Sequence, residues 1–394
     1  MTDTALLAVL LAAVTGLVAG RTWSAVARRS RQRERAAFRM SPHYTQGLHY
    51  LAAGQLEMAI SELAKVVRES PDAVEVQLVY GNLLREAGQT ERAIQTHQTL
   101  LARRDLARSE RAHILACLAT DFRRAGFLDR ATQALSDVLE LDPKNIHAML
   151  GLQKLSEEQR QWRDAYAAQT RVSRLRKTDD NLVLGYLQAE MGAECARLGQ
   201  REAAEQAFRL ALSLDRRVFP AYLGLAQLVE VSDSRRAASV LEDAIRAVPE
   251  RAYLAFEPLA RAYARSGEAS RFVTLCEGII RNDPRDWRAR VALARQLRDA
   301  GENDEALGLI LRAVEANPHA LLVHLETLRT LRAMGAIEPP ADRYLAVAEE
   351  AAFYRDPHLC TQCRYRADDM LWRCPHCHEW NTFVEERLAP GGGR

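Results

Sequence analysis

The stretch YGNLLREAGQTERAIQTHQTL, Tyr80–Leu100, carries a pattern that returns along most of the chain. A small residue, Gly81, is followed seven positions later by Gly88 and five positions after that by Ala93. Small residues let two helices approach closely, and glycine favours the left-handed backbone of the tight turn that ends a helix. The stretch therefore predicts two antiparallel helices joined by a short turn.

The pattern repeats with a period of 34 residues. Its small residue, turn glycine and alanine recur as Gly47, Gly54 and Ala59, as Ala119, Gly126 and Ala131, as Gly192, Gly199 and Ala204, as Ala260 and Gly267, and as Ala294, Gly301 and Ala306. Starts at 40, 74, 112, 146, 185, 219, 253 and 287 define eight units with a partial ninth near 321, and the units at 146 and 219 lack the turn glycine. One helix pair cannot bury its own apolar stripe, so such pairs stack on their neighbours. We expect an all-α fold, a tetratricopeptide-repeat superhelix over 40–335 and a further helix over 336–356, rather than independent hairpins.

Four cysteines near the C-terminus follow the spacing C-x2-C-x10-C-x2-C: Cys360, Cys363, Cys374 and Cys377. Each pair can present two thiolates to one ion, and two pairs complete a tetrahedron. The spacing predicts one four-cysteine metal site within a rubredoxin-type module over 357–386. Four thiolates suit zinc or iron, so the metal stays open. We expect zinc, because rubredoxin knuckles usually carry glycine after each pair, where Arg364 and His378 stand here.

Other residues near the cysteines have simpler interpretations. His358, His376 and His378 are not needed as ligands, since four sulfurs saturate the site. A nucleic-acid zinc ribbon is an alternative that Arg364, Arg366 and Arg373 would favour, but a net charge of +2 gives the whole chain no field that attracts nucleic acid. The three remaining cysteines lie far apart, and we expect buried small side chains rather than disulfides at Cys117, Cys195 and Cys276.

The metal module carries more apolar bulk than one metal site can cover. Its large apolar residues are Met370, Leu371, Trp372, Trp380, Phe383 and Val384. A module of about 30 residues is too small to support a core without help. We therefore expect a structural clip, docked by its tryptophan side on the end of the repeat array, that closes the array or narrows its groove.

The N-terminus has the pattern of a membrane anchor. Thr4–Gly20 contains no charged residue and would form a helix of about 26 Å, enough to cross a bilayer core. Trp23 follows it, and arginines crowd the stretch 28–35. By the positive-inside rule, residues 1–27 are predicted to be a single transmembrane anchor with the N-terminus outside, residues 28–39 a basic linker, and the bulk of the chain cytoplasmic. A cleaved signal peptide is disfavoured because a positive segment before the apolar run is missing.

The repeats predict a partner-binding groove rather than a catalytic site. The sequence contains no common nucleotide-binding, metalloprotease or serine-hydrolase motif, so we expect no enzymatic activity. In the usual repeat geometry, positions 2, 5, 9, 12 and 13 of each unit face inward. In the units at 253 and 287 the inward positions carry, against Glu257 and Asp299, five arginines: Arg261, Arg265, Arg288, Arg295 and Arg298. We predict that they hold an acidic partner segment.

The whole arrangement resembles the lipopolysaccharide assembly protein B family. The stretches GNLLREAGQTERAIQTHQTL and LWRCPHCHEW are particularly similar to it, and the resemblance covers the chain except its tail, where residues 387–394 are predicted to be disordered. The resemblance implies an adaptor in the inner membrane. It implies that the adaptor helps the AAA+ protease FtsH to degrade the deacetylase that commits precursors to lipid A, alongside other lipopolysaccharide assembly proteins. Two alternatives stay open: an iron-based electron carrier and a general envelope-assembly scaffold.

Overall fold

The computed structural model describes residues 41–336 and 358–385. The predicted anchor, basic linker and tail, and the predicted helix from residue 337 onward, lie outside these residues. Among the described residues no helix combines the length and the apolar character that crossing a membrane requires. The helices are α1 Pro42–Ala52, α2 Leu56–Glu69, α3 Val74–Glu86, α4 Thr90–Leu101, α5 Arg108–Arg124, α6 Leu128–Leu141, α7 Ile146–Glu158, α8 Trp162–Arg176, α9 Asn181–Arg197, α10 Arg201–Leu214, α11 Phe219–Val229, α12 Ser234–Ala247, α13 Tyr253–Ser266, α14 Ala269–Asn282, α15 Trp287–Asp299, α16 Asn303–Ala316 and α17 Leu321–Ala333.

These helices alternate as the repeats predict, and two compact units contain them. Of the described residues, those up to Gln159 form the first unit and those from Arg160 onward form the second, so the boundary divides the pair predicted to start at 146. In each predicted pair the odd-numbered helix comes first. In the second compact unit, the first helices of neighbouring pairs contact each other: α9 with α11, α13 with α15, and α15 with α17. These first helices form the face that we call the first-helix face.

The steps into the predicted repeat starts at 112 and 185 exceed the 34-residue period by four and five residues, and these extra residues lengthen the first helix of each pair. Helices α5 and α9 each have 17 residues and begin four residues before the predicted repeat starts. The other first helices have 11 to 14 residues. Because a helical turn takes about 3.6 residues, each insertion adds about one turn at the N-terminal end of a helix.

The predicted turn glycines adopt the left-handed backbone. Their φ values lie between 71° and 89° at Gly54, Gly88, Gly126, Gly199, Gly267 and Gly301. In the unit at 146, Arg160 takes a left-handed conformation in the turn, with φ 56°. In the unit at 219, the Asp233 side chain instead accepts a hydrogen bond from the N–H of Arg236 at the start of α12. The two units without a turn glycine therefore turn by different means.

Small residues permit the close helix contacts that the pattern predicts. A Cβ at Gly81 would overlap the His97 ring. His97 is fully buried, and its Nδ1 lies 2.6 Å from Oδ2 of the buried Asp121, which also accepts a 2.8 Å hydrogen bond from Arg85. This polar network joins α3, α4 and α5, and the glycine makes room for its histidine.

Replacing Gly224 with alanine is expected to destabilise the second unit. Its Cβ would lie no more than 2.7 Å from three ring atoms of the buried Phe208. Overpacking of this kind typically costs about 1–3 kcal/mol, and thermal unfolding followed by circular dichroism would show a lower Tm. Gly308 of α16 is the matched control, because a Cβ there would meet nothing within 4 Å. Gly308→Ala is expected to stabilise by about 0.5–1 kcal/mol, and a Gly224→Ala protein as stable as wild type would contradict the packing argument.

The C-terminal module is a small antiparallel sheet. Strand β1 is His358–Cys360, β2 is Arg366–Ala367 and β3 is Phe383–Glu385, in the order β2-β1-β3. Cys360 pairs with Phe383 across β1 and β3. Both residues are fully buried, and with the equally buried Cys374 they form the core of the module.

Candidate metal centre and its docking surface

The structure brings the four cysteines of the C-x-x-C pairs together. Their sulfurs all lie within 4.8 Å of one another. The Sγ atoms of Cys360 and Cys377 are 3.7 Å apart, and those of Cys363 and Cys374 are 3.5 Å apart. A tetrahedral ion with bonds of about 2.3 Å to sulfur needs sulfur–sulfur distances of about 3.8 Å. The four side chains form a four-cysteine metal site.

Both knuckles keep the left-handed turn that glycine usually supplies. The N–H of Arg364 donates to the carbonyl of Cys360, and the N–H of His378 donates to the carbonyl of Cys374, each at 2.9 Å. Arg364 has φ 63° and His378 has φ 60°. A residue with a Cβ pays roughly 1–2 kcal/mol for this conformation. Both knuckles therefore form the left-handed turn without glycine, so the absence of glycine does not discriminate zinc from iron.

The thiols of the cluster differ in how readily they ionise. Burial of Cys360 opposes its ionisation, but its hydrogen bonds with the Thr382 hydroxyl and with nearby backbone N–H groups outweigh it and lower the pKa of that thiol to about 6. Burial, together with the neighbouring thiols, raises the pKa of Cys377 to about 12, and burial also raises that of Cys363. Four adjacent thiolates need a cation to compensate their charge.

The neighbouring histidines do not join the sulfurs. Within the described residues, the metal-competent cluster contains cysteines alone. The His376 ring stacks on Tyr365, with centroids 6.3 Å apart and an interplanar angle of 11°. His358 is buried rather than on the surface, and its Nδ1 lies 3.3 Å from the backbone oxygen of Asp368. Both histidines thus have packing roles.

The tryptophan side of the module packs on the repeats, as predicted. The Trp372 ring lies 6.1 Å from Phe219 of α11 and 6.2 Å from Tyr186 of α9, centroid to centroid. The guanidinium of Arg251, in the short 3-10 helix before α13, lies over the Trp372 ring at 5.1 Å from the ring centroid. Aromatic pairs and cation–π contacts of this kind each add to the burial of apolar area.

A second tryptophan completes the contact. Trp380 stacks on Tyr186 with centroids 5.5 Å apart. The Tyr186 hydroxyl donates a 2.9 Å hydrogen bond to Oδ1 of Asn381. Burial raises the pKa of Tyr186 to about 12, so the hydroxyl keeps its proton and this bond at physiological pH.

The docking position differs from the prediction in one respect. The module was expected on the end of the array, but its contacts run from Tyr186 through Phe219 to Arg288, which pairs with Glu385 of the module. These residues belong to α9, α11 and α15, which are all first helices. The module therefore narrows the groove instead of closing the end. Val384, expected to be part of the apolar contact, is 48% exposed.

The five predicted groove arginines all have carboxylate partners within the chain. Arg261 and Arg265 lie 3.5 Å and 3.8 Å from Glu230, and Arg261 also pairs with Glu257. Arg295 and Arg298 pair with Glu326 at 2.8 Å and 2.7 Å. The prediction counted only the acidic residues at inward positions of the same two repeat units. It therefore missed Glu230 and Glu326.

Buried Glu326 is the centre of an unusual charge cluster. It is fully buried, and Arg329 is a third guanidinium in contact with it, at 2.7 Å. Burial opposes ionisation, but the arginines outweigh it and lower the pKa of Glu326. One buried carboxylate thus contacts three guanidiniums.

Comparisons with known families agree with both parts of the structure. The model of the rubredoxin metal binding domain matches residues 358–385. Tetratricopeptide repeat models match residues 50–116, 187–217, 227–286 and 273–321. Among solved structures, that of Naa15/Naa10 bound to HypK-THB is loosely similar, with a TM-score of 0.41, 17% identity and coverage of 79% of this chain and 55% of that one.

Curated relatives match along almost the whole chain. Lipopolysaccharide assembly protein B of Escherichia coli K12 is 23% identical over 374 residues, which cover 92% of this chain and 95% of the relative. The protein of the same name from Haemophilus influenzae is 22% identical over 363 residues, or 88% and 89%. The repeats, the four-cysteine module and this collinear match together support the assignment of the chain to the lipopolysaccharide assembly protein B family.

Proposed function

We propose that the protein is a non-enzymatic adaptor in lipopolysaccharide assembly that acts at the cytoplasmic face of the inner membrane. The observation that carries this proposal is the match to relatives of that name over 92% of the chain, repeats and metal module included. The docked module supports it, because it gives the first-helix face a fixed shape on which a partner segment could bind. Stacked helical repeats commonly offer such surfaces to other proteins.

The more specific role is control of proteolysis. In this proposal the adaptor promotes degradation of the committed-step lipid A deacetylase by the membrane protease FtsH, and it contacts further inner-membrane assembly proteins. Residues 1–27 would anchor it as a single-pass protein with a periplasmic N-terminus. Tethering confines both partners to one surface and raises their effective concentration, so modest affinities suffice.

The metal would serve structure in this adaptor. Cys360, Cys363, Cys374 and Cys377 would hold one zinc ion, which cross-links the two knuckles and stabilises the fold of the module. Iron in the same ligand set would instead permit electron transfer. Metal analysis of the isolated protein and its visible absorption spectrum discriminate the two, because an iron–thiolate centre is coloured and redox-active.

The groove arginines remain proposed partner contacts. Arg261, Arg265 and Arg288 are paired with Glu230, Glu257 and Glu385 nearby. Arg295 and Arg298 share the buried Glu326. An acidic partner residue would compete with these carboxylates for the guanidiniums.

Deletion of residues 1–21 is expected to leave the repeats folded and to abolish regulation. The repeats need no membrane to stack, whereas the proposed encounter with a membrane protease depends on tethering. The measurement is the half-life of the deacetylase after arrest of protein synthesis, in cells that express the truncated or the full chain at native level. We expect a several-fold longer half-life with the truncated chain.

A matched control replaces residues 1–27 with an unrelated single transmembrane helix of the same orientation. This chimera should restore the short half-life if tethering is all that the segment supplies. An unchanged deacetylase half-life after complete depletion of the protein would overturn the proteolytic role and leave a general assembly scaffold as the better description.

A further inference from the structure

The even-numbered helices, which are the second helices of their pairs, differ in charge, and α8 is the most basic of them. Over Trp162–Arg176 it carries four arginines against one acidic residue, Asp164, and Lys177 follows directly. In every other second helix that the structure describes, basic residues exceed acidic ones by at most one. The excess on α8 is therefore a property of this helix and not of the repeat pattern.

The basic side chains of α8 are exposed and have no carboxylate partner. All five lie on the surface, and among residues 41–336 and 358–385 none of them makes an ion pair or a hydrogen bond through its side chain: Arg163, Arg171, Arg174, Arg176 and Lys177. This sets them apart from the groove arginines of the first helices, which all have partners.

Three of these arginines share one side of α8, which we call the basic stripe. Arg163, Arg171 and Arg174 lie within about 80° of one another around the helix and extend about 17 Å along its axis. Ala167, which is also exposed, lies between them. Leu175 borders the stripe and is 39% exposed. The stripe thus combines positive charge with a partly exposed apolar side chain.

The acidic residues near α8 are few, and most are engaged elsewhere. Asp180 accepts hydrogen bonds from Gln169, Ser173 and Thr178. Asp179 accepts from the N–H of Asn181 at 3.1 Å.

The helix packed against α8 contributes two further acidic residues. On α9, Glu194 pairs with Arg197, and Glu190 is not free either. The exposed stretch from Arg163 to Asp179 keeps five basic residues against two acidic ones.

Helix stability does not account for the whole stripe. Cations in the last turn interact favourably with the helix dipole, which covers Arg174 and Arg176. Arg163 lies in the first turn, where the dipole disfavours a cation, and Arg171 lies before the last turn. These two positions favour an anionic partner outside the helix.

We propose that the basic stripe lies against the anionic phospholipid headgroups of the membrane to which the protein is tethered. The proposal rests on the membrane location proposed above. A row of exposed guanidiniums matches a planar array of phosphates, because each guanidinium can donate two parallel hydrogen bonds to one phosphate. Basic helix faces with exposed apolar residues are typical of membrane-surface contacts. The contact would limit how the second unit rotates relative to the bilayer.

The test uses the full chain in lipid nanodiscs, with 4-trifluoromethylphenylalanine in place of Ala167. A gadolinium-chelating lipid in every disc relaxes the fluorine signal more strongly the closer the label lies to the headgroups. At about 0.1 M salt, discs with about 30% phosphatidylglycerol should relax the signal about threefold faster than discs of phosphatidylcholine alone. At about 0.5 M salt the Debye length falls to about 4 Å, and the difference should vanish.

Joint replacement of Arg163, Arg171 and Arg174 by glutamine should abolish the difference between the two kinds of disc. These side chains have no partners to lose, so the variant should fold, which circular dichroism checks. If it loses helical signal, the double variant Arg163→Gln, Arg171→Gln takes its place, since it keeps the cations of the last turn.

The matched control removes the same three charges from another second helix. In α12, glutamine replaces three arginines that all pair with carboxylates of the chain: Arg235, Arg236 and Arg246. This variant should keep the threefold difference. An equal loss in both variants would show an effect of net charge alone and would overturn the proposal.

Two other outcomes would also overturn it: equal relaxation in the two kinds of disc, or a folded α8 variant that keeps the difference. If poly-L-glutamate shifts the fluorine signal and phosphatidylglycerol has no effect, the stripe binds acidic protein segments instead. A chain that does not co-elute with phosphatidylcholine discs would refute the anchor. The stripe is then tested by adding the same chain to preformed vesicles of the two compositions, so the two failures are distinguishable.

Discussion

Replacing Cys374 with serine is expected to remove the metal from the protein and to release the module from the helices. Cys374 is fully buried, its Sγ lies 3.5 Å from that of Cys363, and it accepts hydrogen bonds from the N–H groups of His376 and Cys377. A serine hydroxyl is a shorter and much weaker ligand for a thiophilic ion. Ligation contributes about 10–16 kcal/mol to folding in small zinc domains, so the module should unfold when it fails.

Two measurements test whether Cys374→Ser loses its metal and its docked module. Metal per chain, determined by mass spectrometry of the purified protein, should fall from one ion towards none. Near-ultraviolet circular dichroism should lose the tryptophan signal of the docked module, while the far-ultraviolet helical signal persists. If the metal is zinc, as proposed, regulation should fail although no redox chemistry is lost.

Cys195→Ser is the matched control for this variant. Cys195 is a half-buried cysteine of α9, outside the module. Its replacement should leave both the metal content and the near-ultraviolet signal unchanged. A Cys374→Ser protein that retains one metal ion and an unaltered signal would show that the four sulfurs do not act as one site.

The repeat architecture could be predicted because its signal is local and periodic. The small residue, the turn glycine and the alanine of each unit report on contacts within one helix pair, such as Gly192 against Phe208. The pattern could not predict how units without glycine turn. Arg160 adopts φ 56° and Asp233 caps a helix, and each solution depends on its own surroundings.

The metal site could also be predicted from the sequence, because both C-x-x-C turns are local. The docking position of the module could not be predicted. Tyr186 and Asn381 are 195 residues apart, and no periodic signal marks a contact of that separation. Apolar bulk predicted that the tryptophans would be covered, but not which helices would cover them.

The same limit explains the groove arginines. The inward positions of the two repeat units carry five arginines and two acidic residues, and the prediction left out all acidic residues at other positions. Glu230, Glu326 and Glu385 come from a preceding pair, a following helix and the module. Charge in a folded groove depends on these long-range pairs, so the sequence overestimated the net positive charge.

Replacing Trp372 with alanine is expected to undock the module without removing its metal. The ring contacts Tyr186, Phe219 and Arg251 on the helices, whereas the four cysteines and Phe383 form a separate core. Truncation of a large buried aromatic costs about 3–5 kcal/mol, and we expect about 2–4 kcal/mol here because Trp372 is only partly buried. Hydrogen exchange should therefore accelerate in α9 and α11, while metal content stays at one ion per chain.

The contrast with Cys374→Ser makes this prediction informative. If docking is the function of the metal, both variants should lengthen the half-life of the deacetylase equally, although only one of them lacks metal. Val384→Ala, at an exposed position of the same module, should change neither exchange nor half-life. Unchanged exchange in Trp372→Ala would show that other contacts, such as Arg288 with Glu385, hold the module in place. Normal regulation by an undocked, metal-loaded protein would instead show that the adaptor needs the module but not its position on the helices.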